Sequence, residues 1–463
     1  MEKIYRKLCY VFIVTMFLCN VSQSQTWTNH QSLIAYSGFD TEAFAQKVKV
    51  FNQDTLIGIT KKVGVDHYGF SMFQNGNNTE YVTLLDTPDI IISDVTFLDD
   101  TAYFCGKRLT SQNAYIGVVG RFSVRDFINN GNFNYELTDI IQVENLIGLV
   151  AYYKPQSTVV FLKAIGNTSL SAQSPGRVIQ LDFYNNTPNI LHYFVHFFPV
   201  NYVLKEIMHD ICLTDNYIVT VSHIYPQNRY VVRTFDRQNP LNELMSTEYN
   251  FTNNVAFNVA SDHFLFPIHI THLINDRLAI SLSATDGQNF FTMVNYTAAL
   301  SSNISHTHLI YHYDKSNRAL EMEYSASTGI LLALTETNFF SQGANQRMFY
   351  LKPFHTNTYN ANVEKLSVNS QLNHFCVLPN DRYATVGVYR FSQTNDLHLY
   401  AIKDINANGL MCIPDTPETI GIGVSLNGNQ TTPLVPQNFP NILSWSINTA
   451  TYNGIIITTE CTN

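Results

Sequence analysis

The chain has 463 residues and a formal net charge of −9, because 36 acidic residues outnumber 27 basic ones. This acidic balance disfavours nucleic acids and anionic membranes as partners. Charged residues make up only 14% of the sequence while aromatic residues reach 13%, and aromatic residues are enriched in β-strands.

Residues 1–24 have the three parts of a secretory signal peptide. Three basic residues precede an apolar run from Leu8 to Cys19. Ser22 and Ser24 then place small side chains before a predicted cleavage site between Ser24 and Gln25. No other run approaches the roughly 20 apolar residues of a membrane span. We therefore expect that the mature chain has no transmembrane segment. It is expected to be secreted, periplasmic or displayed at the cell surface.

Five cysteines remain after the predicted cleavage, and they are dispersed along the chain. An odd, scattered set predicts neither a disulfide scaffold nor a zinc motif. Cys105, Cys212 and Cys376 lie inside apolar runs, where we expect them to be small buried side chains. Cys412 and Cys461 bracket the C-terminal segment, and we predict that they form a disulfide in an oxidising compartment.

A polar turn followed by an apolar strand recurs along the chain, most clearly between Ile92 and Phe122. The second position of the turn returns every 46 to 60 residues, at Asp54, Asp100, Ser157, Asn216, Asp276, Thr328 and Asp381. The residue before each position is polar and the residue three positions later is apolar, as a tight turn between strands requires. This pattern predicts seven structural repeats.

A third strand is predicted in each repeat, in most cases where an apolar run begins or ends on an aromatic residue. These runs are Tyr68–Phe73, Tyr115–Phe122, Arg177–Phe183, Tyr230–Phe235, Phe290–Tyr296, Met348–Phe354 and Leu397–Ile402. A fourth strand fits between repeats, as at Tyr135–Val143 and Leu309–Tyr313. Four-stranded units at this spacing resemble the β-propeller class, which implies an all-β, seven-bladed ring. The motifs of the WD40, kelch and sialidase families are absent, so the resemblance implies architecture alone.

The domain organisation follows from this resemblance, which covers roughly residues 30–405. We predict a propeller over residues 25–408 and a C-terminal β segment over residues 409–463. Ser32–Tyr36 is expected to complete the last blade and join the two ends of a monomeric ring. Three short strands are predicted in the C-terminal segment, at Thr419–Leu426, Asn441–Ile447 and Gly454–Thr459. That segment is either a small module or a divergent eighth unit.

A candidate site comes from the position seven residues before each repeated turn, near the entry of the innermost strand. This column contains Lys47, Ser93, Val150, His209, His269, Glu321 and His374. Innermost strands line the channel of a propeller, so His209, His269, Glu321 and His374 are candidate ligand-binding residues. They are also candidate ligands of a divalent metal, for which imidazole and carboxylate are suitable donors. Hydrogen bonds to loop carbonyls are the alternative role, and a one-residue slip would scatter the column.

Two other groups of side chains carry weaker signals. His306, His308 and His312 share one face of a predicted strand, but only the first two are close enough for chelation, and we expect an outer strand in contact with solvent. Asp94 and Asp210 lie six residues before their turns. They are expected to cap turns or bond a neighbouring blade, and we assign them no catalytic role.

Three functions remain open at this point. The first is an exported binding protein that recognises a protein or a glycan through blade loops, where aromatic and amide side chains suit polar partners. The alternative is a secreted hydrolase or lyase with its site, metal-dependent or not, at the channel mouth. The third is a structural surface component attached through residues 409–463. No Gly-x-Ser-x-Gly elbow or phosphate-binding glycine loop is present, and no cofactor is predicted apart from the divalent metal that the column of candidate ligands could hold.

Overall fold

The computed structural model is an all-β propeller built from four-stranded antiparallel sheets. It describes residues 30–36, 43–52, 55–62, 65–74, 80–140, 143–153, 156, 159–167, 176–184, 187–195, 205–225, 229–250, 258–259, 266–285, 289–310, 317–337, 345–365, 370–379, 381–405, 418–423, 429–430, 436–438 and 446–460. The first described strand is β1 (His30–Tyr36). Within these residues no helix has the length and hydrophobicity that a membrane crossing requires.

The following strands form successive sheets in chain order. The first contains β2 (Ala43–Asn52), β3 (Thr55–Lys62), β4 (His67–Gln74) and β5 (Glu80–Leu85). The second contains β6 (Ile90–Leu98), β7 (Thr101–Leu109), β8 (Tyr115–Ser123) and, after helix α1 (Val124–Asn130), β9 (Phe133–Ile140). The third contains β10 (Asn145–Tyr153), β11 (Val160–Asn167), β12 (Gly176–Tyr184) and β13 (Thr187–Val195). The fourth contains β14 (Lys205–Leu213), β15 (Tyr217–Tyr225), β16 (Arg229–Asp236) and β17 (Glu243–Asn250).

The later sheets continue the same order. The fifth contains β18 (Asn258–Val259), β19 (His269–His272), β20 (Arg277–Thr285), β21 (Phe290–Ala298) and β22 (His306–Ile310). The sixth contains β23 (Asn317–Ser325), β24 (Ile330–Thr337), β25 (Asn345–Leu351) and β26 (Tyr359–Lys365). The last contains β27 (Ser370–Leu378), β28 (Arg382–Arg390) and β29 (Asp396–Asp404), with β1 paired to β29.

Five of these sheets are regular blades made of four consecutive strands, rather than the seven uniform repeats that the sequence predicted. The sheet of β19–β22 differs because its innermost strand has only four residues and β18 pairs beside it with β20. The last sheet differs because its fourth strand comes from the N-terminal end of the chain. This pairing of β1 with β29 confirms the predicted role of Ser32–Tyr36.

The innermost strands contact one another in the order β2, β6, β10, β14, β19, β23 and β27, and β27 returns to β2. The side chains of these strands therefore converge on one axis. The turns that follow these strands are tight, as predicted from their polar residues. Asp99, Gln156, Asn275, Asp276 and Asp381 all have φ between 49° and 61°, a left-handed conformation that Asn and Asp adopt more readily than most residues.

Aromatic side chains fill the space between the first two blades, as the predicted third strands suggested. The Phe122 ring stacks on Phe133 at 4.2 Å and lies 4.7 Å from Phe70. Phe104 packs against the backbone at Gly120, where a Cβ would lie 2.1 Å from the ring. Since all of these rings are buried, the blades are held together mainly by apolar contact.

The C-terminal strands lie along the outer edges of the sheets. They are β30 (Glu418–Gly423), β31 (Asn429–Gln430), β32 (Pro436–Asn438) and β33 (Ser446–Glu460). Strand β30 pairs with β22 and β26, β31 with β17, and β32 with β13. Strand β33 pairs in turn with β9, β5 and β1. The described part of the C-terminal segment therefore pairs with outer strands of the propeller rather than within itself.

Candidate ligand site in the central channel

A β-bulge near the start of the innermost strands decides which side chains share the central site. The register shifts at Gln46, Ser93, Ile147, His209, Leu320 and Asn373. A bulge places two residues opposite one and re-aims the side chain that follows. The residues after the bulges are Lys47, Asp94, Gly148, Asp210, Glu321 and His374, and His269 opens the short strand β19. We call these seven residues the central ring.

The central ring keeps part of the predicted column and corrects the rest. His269, Glu321 and His374 are in it as expected. His209 is instead the bulged residue, and its Nδ1 accepts a hydrogen bond from the Ile268 backbone N–H at 3.3 Å. Asp210, which was expected to cap a turn or bond a neighbouring blade, takes the ring position, and its Oδ2 accepts the Ile270 backbone N–H of the next sheet. In the same way Asp94 replaces Ser93, and Val150 lies two residues beyond Gly148.

Lys47 and Asp94 form an ion pair across the first two innermost strands. Lys47 Nζ lies 2.9 Å from Asp94 Oδ1, and Asp94 Oδ2 accepts the Leu149 backbone N–H. Burial alone would lower the pKa of Lys47, but the charge and hydrogen bond of Asp94, together with the charge of Glu321, outweigh burial and the pKa is raised. Burial likewise opposes ionisation of Asp94, yet Lys47 and Lys49 lower its pKa overall. Both side chains are therefore charged at neutral pH.

A chain of acidic and imidazole groups continues around the other side of the central ring. His269 Nδ1 lies 3.8 Å from Asp210 Oδ2 and 3.8 Å from Glu321 Oε1. The other oxygen of Glu321 lies 3.2 Å from His374 Nε2. Asp210 is held in place because its Oδ2 also accepts the Ile270 backbone N–H at 2.9 Å. Glu321 thus bridges two histidines that come from different blades.

The two histidines have opposite pKa shifts. Burial lowers the pKa of His374 well below its usual value, and the positive charges of Lys47, Lys49 and His269 lower it further. Burial also opposes protonation of His269, but the Glu321 and Asp210 carboxylates outweigh it and raise the pKa. The site therefore favours a neutral imidazole at His374 and stabilises the protonated form of His269.

A second layer of charge lies two residues further along two of the innermost strands. Burial raises the pKa of Glu323 to about 7, against the opposing effect of Lys49, and Glu323 Oε2 accepts the Val377 backbone N–H at 2.6 Å. Burial of Lys49 is outweighed by four carboxylates of the two layers, led by Asp94, so its pKa is raised. The channel thus combines charged donors with carboxylate acceptors at two levels.

Part of this site has free hydrogen-bonding capacity. His269 Nε2 and His374 Nδ1 are buried and have no hydrogen-bond partner among the described residues. Buried polar atoms are nearly always paired, so these two nitrogens keep hydrogen-bonding capacity that the described residues do not use. Side-chain exposure rises from 4% at His374 to 17% at Glu321 and 29% at Asp210, which gives the site an accessible side.

The donor atoms of the central ring do not converge on one point as a metal site requires. Within the part of the chain that the structure describes, one set of three potential ligands has all its donor atoms within 4.8 Å, and it consists of Asp215, His272 and Asp276. The central ring does not form such a set, although Glu321 contacts both His269 and His374. Metal binding by the central ring stays a prediction.

The second histidine cluster has a structural role. His306 Nε2 lies 2.8 Å from the Pro353 carbonyl, and His308 Nε2 lies 2.8 Å from the His355 carbonyl. Both side chains are buried, whereas an outer strand in contact with solvent was expected. His312 lies outside the described residues.

The structure describes three of the five cysteines that follow residue 24. Cys105 and Cys376 are buried with free thiols, as predicted, and the free Cys212 is half-buried. Cys412 and Cys461 lie outside the described residues, as does the predicted signal peptide at residues 1–24. The disulfide between Cys412 and Cys461 and the cleavage of the signal peptide stay predictions.

Comparison with known proteins finds likenesses among solved structures alone. No family model matches the chain, and no curated protein sequence matches it. Among solved structures, a polysaccharide lyase, Uly1, is similar at 7% identity with a TM-score of 0.46, over 78% of this chain and 90% of that one. The Dos1 propeller is similar at 9% identity with a TM-score of 0.41, over 84% and 96%. A protein of unknown function from Dyadobacter fermentans is similar at 8% identity with a TM-score of 0.33, over 81% and 97%. The chain is a β-propeller, and these likenesses carry no information on activity.

Proposed function

We propose that this chain is an exported binding protein that takes a glycan into the central ring. The observation that carries the proposal is the cluster of Asp210, His269, Glu321 and His374, which contributes two buried imidazole nitrogens without a partner. The predicted signal peptide supports export. The innermost strands contact one another in sequence and the last contacts the first, which supports a channel enclosed by these strands.

The chemistry of the site favours a ligand rich in hydroxyl groups. The two layers place ammonium and imidazole donors beside carboxylate acceptors, so neither sign of charge dominates. A sugar hydroxyl both donates and accepts hydrogen bonds, and it can satisfy an imidazole nitrogen and a carboxylate together. A strongly anionic or cationic ligand would meet repulsion from one half of the central ring. Blade loops would then contact the outer part of a longer glycan.

The test is glycan binding by the mature chain, residues 25–463. Binding identified on a glycan array is quantified by calorimetry for wild type and for Glu321→Gln. We expect the variant to bind at least about tenfold more weakly, because the Glu321 carboxylate of the wild type accepts charge-assisted hydrogen bonds that an amide cannot replace. Glu136→Gln is the matched control, since Glu136 pairs with Arg121 on an outer blade strand. Equal losses in both variants, or no glycan ligand, would remove the proposal.

A second candidate function is a hydrolase or lyase that works by acid–base catalysis. It is favoured by the opposite pKa shifts of His374 and His269, because such divergence separates a base from an acid. His374 can donate its Nε2 proton to Glu321, which leaves the Nδ1 lone pair to accept a proton from a substrate. Protonated His269 would supply a proton to the leaving oxygen.

The enzyme candidate makes a separate prediction about turnover. On a glycan that the protein binds, we expect release of reducing ends, with an added double bond in the lyase case. His269→Ala should abolish this release, a loss of about 10²-fold or more for a general acid, while the ring stays folded. Unchanged turnover in the variant would exclude this site.

The metal proposal is tested by elemental analysis of protein purified without a histidine-rich tag. Imidazole and carboxylate from His269, Glu321 and His374 would hold zinc, nickel or iron, and the bound metal would activate water. Stoichiometric metal that disappears in His374→Ala would support a metal-dependent enzyme. A metal content that is unaffected by this substitution would count against it.

A further inference from the structure

A cavity separate from the central channel lies between two neighbouring sheets. Its volume is about 380 Å³, within the range of small-molecule sites. Strands β20 and β21 supply one side and the segment after β25 supplies the other. The apolar lining comes from Leu273, Leu278, Tyr296, Pro353 and Phe354. Phe354 is 41% exposed, so the cavity has an aromatic ring at an open edge.

One positive charge stands at this cavity. The Arg277 guanidinium lies 5.5 Å from the centre of the Phe354 ring, and Arg277 pairs with no carboxylate of the described residues. His306 adds no second charge, because burial lowers its pKa and Arg277 lowers it further. An arginine beside an aromatic ring and without an anionic partner presents its fork of N–H donors to a ligand.

Two hydroxyl groups at the cavity donate their protons to backbone carbonyls. Thr297 Oγ1 donates to the Asn303 carbonyl at 2.9 Å, and Ser305 Oγ donates to the Tyr296 carbonyl at 2.9 Å. His306 is held by the Pro353 carbonyl. Neither hydroxyl can donate to a sugar without breaking its present bond, which costs binding free energy, and the apolar lining leaves the sugar's own polar groups unpaired. The cavity therefore suits an apolar body better than a sugar.

We propose that this cavity binds a small aromatic carboxylate. The ring of the ligand packs among Leu278, Tyr296 and Phe354, and its carboxylate meets the Arg277 guanidinium at the mouth. Aromatic side chains contribute large contact area with a preferred stacked or edge-on geometry, and the guanidinium pairs with the carboxylate in bidentate fashion. This site is independent of the glycan proposed for the central ring.

The experiment compares phenylacetate with phenylacetamide, which has the same shape without the charge. Binding to the mature chain is measured by calorimetry or ligand-detected NMR. We expect phenylacetate to bind at least about tenfold more tightly than the amide, and Arg277→Gln to remove that preference. Phe354→Ala should weaken both compounds. Both residues are exposed, so the variants keep the buried core intact. Arg125→Gln is the matched control, since Arg125 is an exposed arginine paired with Asp100 elsewhere.

Several results would overturn the proposal. Acid and amide bound equally well by wild type, or equal losses in the Arg277 and Arg125 variants, would show that Arg277 does not recognise the carboxylate. Absence of saturable phenylacetate binding would contradict the proposal directly. A tripeptide Gly-Gly-Phe bound more than about tenfold more tightly than phenylacetate would identify a peptide C-terminus as the occupant. Glycan binding should be unchanged by Arg277→Gln, which separates this site from the central ring.

Discussion

The chain contains two groups of histidines with different environments. His269 and His374 reach the central ring from different blades and contact the carboxylate of Glu321 between them. His306 and His308 lie on one strand, and each imidazole contacts a backbone carbonyl of the next sheet. The dispersed pair therefore keeps nitrogen atoms free for a ligand, while the adjacent pair bonds two sheets together.

The difference shows that closeness in sequence is a poor guide to a binding site in this fold. Residues two apart on a strand share a face, and on an outer strand that face packs against the neighbouring sheet. Residues some 50 positions apart meet at the axis because each repeat contributes one innermost strand. The following predictions test this comparison, starting with the largest expected effect.

His308→Ala should destabilise the fold strongly. The imidazole is fully buried, its Nε2–H donates to the His355 carbonyl, and its Nδ1 lies 2.9 Å from the Tyr296 hydroxyl. We expect a loss of about 3 kcal/mol in the free energy of unfolding, from a cavity and unpaired polar groups. Urea denaturation measures it. His374→Ala is the comparison variant and should cost less than His308→Ala, because His374 Nδ1 has no hydrogen-bond partner to lose among the described residues; a reversed order would contradict the assigned roles.

Acid should destabilise the protein through His308. Burial lowers the pKa of His308 to about 4 from an ordinary value of 6.5. The unfolded chain therefore takes up the proton first, and stability falls as the pH drops from about 6.5 through 4. The contribution is on the order of 3 kcal/mol at the low end. In His308→Gln, which does not titrate, unfolding measured over this range should show a shallower slope, and an identical slope would refute the assignment.

Glu323 should make stability depend on pH in the opposite direction to His308. Its folded pKa of about 7 lies above its ordinary value of 4.5, so its contribution is present below about pH 4.5 and is lost as the pH rises through 7. Glu323→Gln mimics the protonated form and should be more stable than wild type above pH 7, by on the order of 2 kcal/mol. Denaturation at pH 5 and pH 8 tests the sign: the advantage of the variant must grow with pH.

Glu321→Gln should have the smallest effect on stability. The amide keeps the shape of the side chain and can still bond to His374, while the protonated form of His269 loses one stabilising carboxylate. We expect a change below about 1 kcal/mol, together with the loss of glycan affinity described above. Thermal unfolding of the unliganded variant measures the first quantity. A loss comparable to that of His308→Ala would make Glu321 a structural residue.

Much of the fold was readable in the sequence. The polar turns at Asp99, Asn275 and Asp381 and the apolar runs after them predicted the strands that the structure shows. The column seven residues before the turn found His269, Glu321 and His374, because the distance from ring to turn is equal in those repeats. It missed Asp94 and Asp210, where that distance is shorter by one residue.

The sequence by itself determined the strands, the turns and the propeller class, since alternation and turn chemistry are local properties of the residues. Only the tertiary structure decided which side chains enter the central ring, because the bulge at Ser93 or His209 is a property of strand pairing and shifts which side chain follows it inward. It also decided the position of β30–β33, whose backbone groups pair with outer strands. Backbone hydrogen bonds between strands depend little on which side chains are present, so the sequence does not specify which outer strands β30–β33 pair with.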